Sequence, residues 1–303
     1  MHVYRHAPVP PYRVTPHLER FSLPGQPAPY IYDARAGACR RVLSVLGEPV
    51  PVKVFLRGEP DRPAITIHAY NRSPDAAGRA RDSVLLALRA GFDYSGLLER
   101  VGRWEPLRRL AMKHWGLRPT RKLSLYEALV DAIVKQRIAL RASLRLLASL
   151  VLSYGGRLTV GGEDYYSAPL PERLARAGVE EIRAHGLTRL KARALVEVAA
   201  RQLEGSLPTL DQAVRDPEAT VRALTRIYGV GRWTAELAVA MVHPRFPLGP
   251  LSDLAVSRGL SLVLPGASPR RIVEELGDYA GLVMYLAAYE YESRKKGGVA
   301  GGG

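Results

Sequence analysis

The chain has 303 residues, 47% of them hydrophobic, so it can bury one large core or two to three smaller ones. Lys and Arg outnumber Asp and Glu by 44 to 29, a net charge of +15, which points to a polyanionic partner and most simply to nucleic acid. The single cysteine, Cys39, excludes an internal disulfide, a cysteine-type zinc finger and an iron–sulfur cluster, and no apolar run approaches the roughly 20 residues of a membrane span.

Residues 1–30 hold seven prolines and read as an extended arm. Three short alternating runs follow, "RRVLSVLG", "VPVKVFLR" and "AITIHAY", separated by Gly or Pro; they predict a small antiparallel sheet over residues 40–70. In "SPDAAGRARDSVLLALRAG", Ser73 is an N-cap candidate and Val84, Leu85 and Leu88 keep helical spacing. Residues 1–95 thus read as an arm and a small α/β domain.

Everything from 96 to about 295 reads as helix. "SLYE" at 124–127 has the form of a capping box, with Ser124 as cap and Glu127 reaching back. The helix it opens is expected to run to about Tyr154. Further helices are expected in "PERLARAGVEEIRAHG", "LKARALVEVAARQLEG", "DPEATVRALTRIYG", "GRWTAELAVAMV", "LSDLAVSRGLSLV" and "SPRRIVEELGDYAGLVMYLAAYEYES". The tail, 296–303, reads as disordered. The fold class is therefore mainly α with an N-terminal α/β part.

Gly229-Val230-Gly231 joins two of these helices. Glycine permits positive φ, and backbone N–H groups at the start of the next helix make an anion site. With Arg232 beside it, such a turn can hold one DNA phosphate without reading sequence. The same turn can equally be an ordinary helix–helix connection.

The stretch "LTRIYGVGRWTAELAVAMV" resembles the helix-hairpin-helix of the HhH-GPD DNA glycosylases, and "GVGRWTA" is similar to their AlkA branch, the 3-methyladenine DNA glycosylases. "SLYEALVDAIVKQRIAL" resembles the family's first core helix, with Tyr126, Glu127, Val130, Ala132, Ile133 and Gln136 in matching places. "RLARAGVEEIRAHGLTRLKARALVEVA" resembles the helix pair before the hairpin, and the N-terminal sheet matches the extra domain of the AlkA type. The likeness covers roughly residues 40–292. It implies two helical subdomains flanking an active-site cleft.

It also implies the site. The catalytic aspartate falls on Asp253, in "FPLGPLSDLAVSRGL", 20 residues after Trp233; as bare sequence, "PLSD" before a helix reads as an N-cap. Gly229, Val230, Gly231, Arg232, Thr234, Gln136 and Arg137 become DNA-contact candidates, Arg137 as the wedge that fills the gap left by a flipped nucleotide. Arg137, Arg141 and Arg145 are spaced by four, as on one helical face, either toward DNA or toward solvent.

Base-pocket candidates are Trp233, Tyr126, Tyr285 and Tyr289; Trp233 can also be core packing. Leu237 and Leu254 stand where AlkA types carry tyrosines, so the pocket is less aromatic than theirs. Some family members carry a lysine at the place of Trp233. With no lysine between Lys191 and Lys295, water is the expected nucleophile and the enzyme monofunctional. His243 is given no catalytic role and Cys39 is expected to be inert.

The implied activity is hydrolysis of the N-glycosidic bond of alkylated purines in duplex DNA by base flipping. The alternatives are a glycosylase for hypoxanthine, uracil or 8-oxoguanine, or a non-catalytic DNA-binding module. No metal or other cofactor is expected. The proline-broken N-terminus lacks a signal-peptide core, so an intracellular, cytoplasmic monomer without a membrane partner is expected. A single asparagine, Asn71, fits a thermophile, where deamidation is fast; only seven of the 44 basic residues are lysine, a bias to arginine that a GC-rich genome also favours.

Overall fold

The computed structural model describes residues 1–299. Strands β1 (His2–His6), β2 (Ile31–Asp33), β3 (Ala38–Val45), β4 (Glu48–Arg57) and β5 (Ala64–Ala69) form one antiparallel sheet in the order β1-β5-β4-β3-β2. Its alternation is physical. Val50, Val52, Val54 and Leu56 point inward with Ile65 and Ile67, against helix α2 (Pro74–Ala87). The Ser73 hydroxyl accepts the N–H of Ala76 and so caps α2 as expected.

The arm is more ordered than its prolines suggest. Its first residues supply edge strand β1, and Thr15–Arg20 form a short helix, α1. Tyr12, Val14 and Leu18 enter the same core. Proline pre-sets φ, and at the start of a helix it gives up only an N–H that would be unpaired anyway.

The helical part has two cores. The first holds α5 (Leu125–Lys135), α6 (Leu140–Tyr154), α7 (Pro171–Arg183), α8 (Arg189–Leu203), α9 (Leu210–Arg215), α10 (Pro217–Leu224) and α11 (Arg232–Val242). The second joins α3 (Ser95–Val101) and α4 (Glu105–Lys113) to α12 (Leu254–Val263), α13 (Pro269–Leu276) and α14 (Ala280–Val299). The second body is therefore discontinuous: the chain leaves it after α4 and returns through residues 243–253.

Four local expectations are corrected. The helix opened at Ser124 stops at Lys135, turns through Gln136–Ala139 and restarts at Leu140, so Arg137 does not share a helical face with Arg141 and Arg145. The Ser124 hydroxyl caps the N–H of Glu127, but the Glu127 carboxylate does not reach back; it binds Arg41 at 2.8 Å. Residues 155–169, within the stretch read as all helix, form a hairpin, β6 (Gly155–Val160) and β7 (Glu163–Pro169). Gly161 and Gly162, both at positive φ, make its two-residue turn. The hairpin covers the outer face of the sheet, where Lys53 meets Glu163 at 2.6 Å and the Arg40 guanidinium donates to the Asp164 carbonyl. Finally, α14 continues to Val299, so the tail expected from 296 is helical over its first four residues, and 300–303 lie outside the described residues.

Candidate active site

Helices α10 and α11 fold back on each other through Tyr228–Gly231. Gly229 has φ +73°, and a β-carbon there would lie 2.8 Å from that of Ala194, so both conformation and the close approach of α8 require glycine. Val230 is buried in the first helical core and its N–H is bound to the Ile227 carbonyl. Its part is to anchor the turn; both its side chain and its N–H are committed. Gly231 is the N-cap of α11, exposed, with no side-chain cap and open space where a β-carbon would stand. The first-turn N–H groups of α11 thus lack a capping side chain, which leaves the anion site that the sequence suggested.

The neighbours of this turn are more committed than expected. Arg232 donates to Glu236 at 2.7 Å and lies 3.5 Å from Glu218. Thr234 is buried, and its hydroxyl accepts from the Gln136 amide at 2.9 Å; that amide also donates to the Gly229 carbonyl at 2.9 Å. Gln136 and Thr234 therefore lock the α5–α6 turn to the hairpin. Beyond the lock, Arg137 stands exposed with φ +52°, beside half-exposed Ile138.

Asp253 begins α12 on the other body. One carboxylate oxygen accepts the N–H groups of Ala255 (2.8 Å) and Val256 (3.1 Å), and the other accepts the Trp233 indole N–H at 3.0 Å. The N-cap reading and the Trp233 contact coexist: capping uses one oxygen and aims the other across the seam. Trp233 is half-buried, with its polar edge spent on the acid. Three donors hold the carboxylate in one orientation, on a helix N-terminus that favours negative charge.

The pocket candidates separate. Tyr126 is buried in the first helical core and donates to the Pro169 carbonyl at 3.0 Å; burial pushes its phenol well up, and it packs in that core. Tyr285 and Tyr289 lie one turn apart on α14, ring centres 6.2 Å apart. They meet residues from the arm that sequence reasoning missed. His17 bonds the Tyr285 hydroxyl at 3.0 Å and Thr120 at 3.0 Å, and its ring packs on Phe21 at 4.5 Å. Burial, then Lys135 and Lys122, hold His17 far below its usual pKa, so it is neutral. The Lys135 ammonium lies 5.0 Å from the Phe21 ring centre and Arg20 lies 5.0 Å over Tyr289. Arg20 also pairs with Glu292. Asp131 binds Lys122 at 3.1 Å and Lys135 at 3.0 Å. Burial alone would raise its pKa, but the two ammonium groups outweigh that and bring it to about 2.

Chain neighbours tie the acid to this aromatic wall: Trp233, bonded to Asp253, precedes Thr234, bonded to Gln136, and Gln136 follows Lys135, whose ammonium lies over Phe21, packed in turn on His17. Elsewhere, Leu237 packs on the first helical core while Leu254 is 63% exposed. The Tyr291 hydroxyl is bound by Arg258 at 2.8 Å. His243 is buried and accepts the Arg245 N–H on Nδ1. Burial pushes the Cys39 thiol up to about 12, too high for a reactive thiolate.

No family model matches the chain. Over 141 residues, 46% of this chain and 46% of the relative, it is 35% identical to DNA-3-methyladenine glycosylase 2 of Escherichia coli, so the match spans about half of that protein's length. It is 28% identical to DNA-3-methyladenine glycosylase 1 of Schizosaccharomyces pombe over 172 residues, 56% of this chain and 70% of the relative. Among solved structures it is similar to the 3-methyladenine DNA glycosylase of Archaeoglobus fulgidus, with a TM-score of 0.79, 25% identity, and coverage of 94% of this chain and 98% of that one. Two helical bodies, a glycine hairpin on one and a capped aspartate on the other define a class: the helix-hairpin-helix glycosylase fold. In fold and over the matched stretches the chain is similar to the HhH-GPD DNA glycosylases of the AlkA type.

Proposed function

We propose that the protein is a monofunctional DNA glycosylase that removes alkylated purines of the 3-methyladenine type from duplex DNA. The observation that carries this reading is the Asp253 carboxylate, fixed by three donors and facing Trp233 across the seam from an uncapped Gly-Val-Gly hairpin. The names of the curated relatives support the substrate class.

A glycosidic bond inside a duplex is out of reach, so the nucleotide must be turned out of the stack. The first-turn N–H groups of α11 bind a backbone phosphate, while Arg137, on the turn locked by Gln136, enters the gap. Breaking the bond develops oxocarbenium character at C1′. The Asp253 carboxylate stabilises that cation and orients the attacking water. Trp233 holds the acid and leaves no amine at the place where other family members carry a lysine. Hydrolysis then ends at an intact abasic site.

One observation favours a second reading, that the preferred lesion is a neutral base such as hypoxanthine or 8-oxoguanine. Lys135 and Arg20 already sit on the rings of Phe21 and Tyr289, and a cationic base would meet like charge there. A non-catalytic DNA-binding module is disfavoured, since gripping phosphate needs no carboxylate beside the duplex.

The test is release of free base from duplexes carrying 3-methyladenine, 7-methylguanine, hypoxanthine, uracil or 8-oxoguanine, with borohydride added in parallel. Release of methylated purine without a trapped covalent complex is expected. Tight binding with no base released from any duplex would sink the enzymatic reading, and a trapped adduct would sink hydrolysis by water alone.

A further inference from the structure

Glu236 is a carboxylate 3% exposed, in the middle of the apolar run of α11. A buried acid is costly unless its oxygens are fully used. Both are. Oε1 accepts from Arg232 Nε at 2.7 Å, and Oε2 accepts the backbone N–H of Leu251 at 3.0 Å. The two partners belong to different parts of the proposed machinery. Arg232 is the first helical residue after the hairpin, its side chain 58% exposed. Leu251 lies in the turn that sets Asp253, whose own N–H is bound by the Pro250 carbonyl at 3.0 Å.

We propose that Glu236 is a positioning residue: one buried carboxylate that ties the DNA-gripping hairpin to the loop carrying Asp253, so that the acid is placed correctly only while the bridge is intact. This rests on Asp253 being the catalytic acid. The Trp233 indole is a second tie between the same two elements, made directly to the carboxylate. Together they fix the acid at two points: Glu236 holds the loop backbone and Trp233 the side chain.

Glu236→Gln tests the bridge without changing its shape. A carboxylate offers two accepting oxygens; a carboxamide offers one, and its NH2 must confront either the Leu251 N–H or the Arg232 guanidinium. Two quantities are measured: the single-turnover excision rate at saturating lesion duplex, and the affinity for a duplex carrying an uncleavable abasic analogue. The rate is expected to fall about tenfold, the scale of one lost hydrogen bond to a charged group, with affinity changing less than about threefold. Because the effect acts through Asp253, Glu236→Gln added to Asp253→Asn should slow the remaining reaction no further.

A wild-type rate for Glu236→Gln overturns the bridge, and so does an equal further loss in the Asp253→Asn background, which would mean general damage to the fold. A wild-type rate for Asp253→Asn alone overturns the catalytic reading beneath it, and that result is distinguishable because it does not involve Glu236. If Glu236→Gln does not fold, Arg232→Gln cuts the exposed end of the bridge. It should lower the rate at saturating DNA, and a loss confined to affinity would overturn the proposal.

Discussion

The two walls of the candidate site are built in opposite ways. The hairpin wall comes largely from one stretch, residues 227–256, and the bonds that set its acid are short in sequence, Trp233 with Asp253 and Glu236 with Leu251; only the Gln136 lock reaches it from far along the chain. The aromatic wall is assembled from the two ends of the chain: His17 and Tyr285, bonded at 3.0 Å, are 268 residues apart. The first wall holds groups that any target needs, a phosphate clamp and an acid at the sugar. The second holds flat faces and charges whose fit depends on which base is presented. Damage to the hairpin wall should therefore affect all lesions alike, and damage to the aromatic wall should change the ranking among them.

The largest expected effect belongs to Asp253→Asn. The carboxamide can still cap α12, so the protein folds and binds, but base release should fall by roughly a thousandfold or more on every lesion, measured as single-turnover excision. A loss restricted to one lesion would erase the distinction between the walls. Next comes Phe21→Ala, which removes a ring packed on His17 and exposes the Lys135 ammonium. Excision of the preferred base should drop about tenfold, with other bases changing less, so that ratios of kcat/KM shift. A uniform loss on all bases would show that this wall is only scaffold.

Gly231→Asp comes third. Its β-carbon meets open space, so the substitution acts through charge at the head of α11. Affinity should weaken about tenfold for damaged and undamaged duplexes alike, in a fluorescence-anisotropy titration whose salt slope becomes shallower. Loss limited to damaged DNA would contradict the clamp. The smallest effect is expected for Arg137→Ala: several-fold slower excision from duplex and little change on single strands, which have no stack to fill. Equal losses on both substrates would reduce Arg137 to a backbone contact and pass the wedge to its neighbour Ile138.

Much of the hairpin wall was legible in the sequence because its determinants are local. Gly229 must be glycine for its own φ and for Ala194, and Asp253 caps α12 as "PLSD" suggested. The aromatic wall was only half legible. Tyr285 and Tyr289 were singled out, but Tyr126 is a core residue, and nothing in "PHLERF" announces that His17 and Arg20 will meet α14. The α5–α6 break escaped notice for a different reason. Helical spacing runs through it, and only the bonds from Gln136 to Gly229 and Thr234 show why the chain turns there. The β6–β7 hairpin did carry a signal, paired glycines between alternating runs, which the surrounding helices outweighed.

Sequence alone determined most of the elements, the positive charge, the hairpin turn and Asp253 as an N-cap, since each depends on residue type, periodicity or a short turn; the catalytic part of Asp253 came with the family resemblance. Tertiary structure decided what those residues are free to do. It committed Val230 and Thr234 to packing, occupied Arg232 with Glu236, and made Trp233 the partner of Asp253. It also brought Arg20 and His17 against α14, with Phe21 and Lys135 packed behind them. The reason is that a side chain's identity fixes how many hydrogen bonds and charges it can offer, whereas its partners are set by which distant segments the buried cores bring into contact.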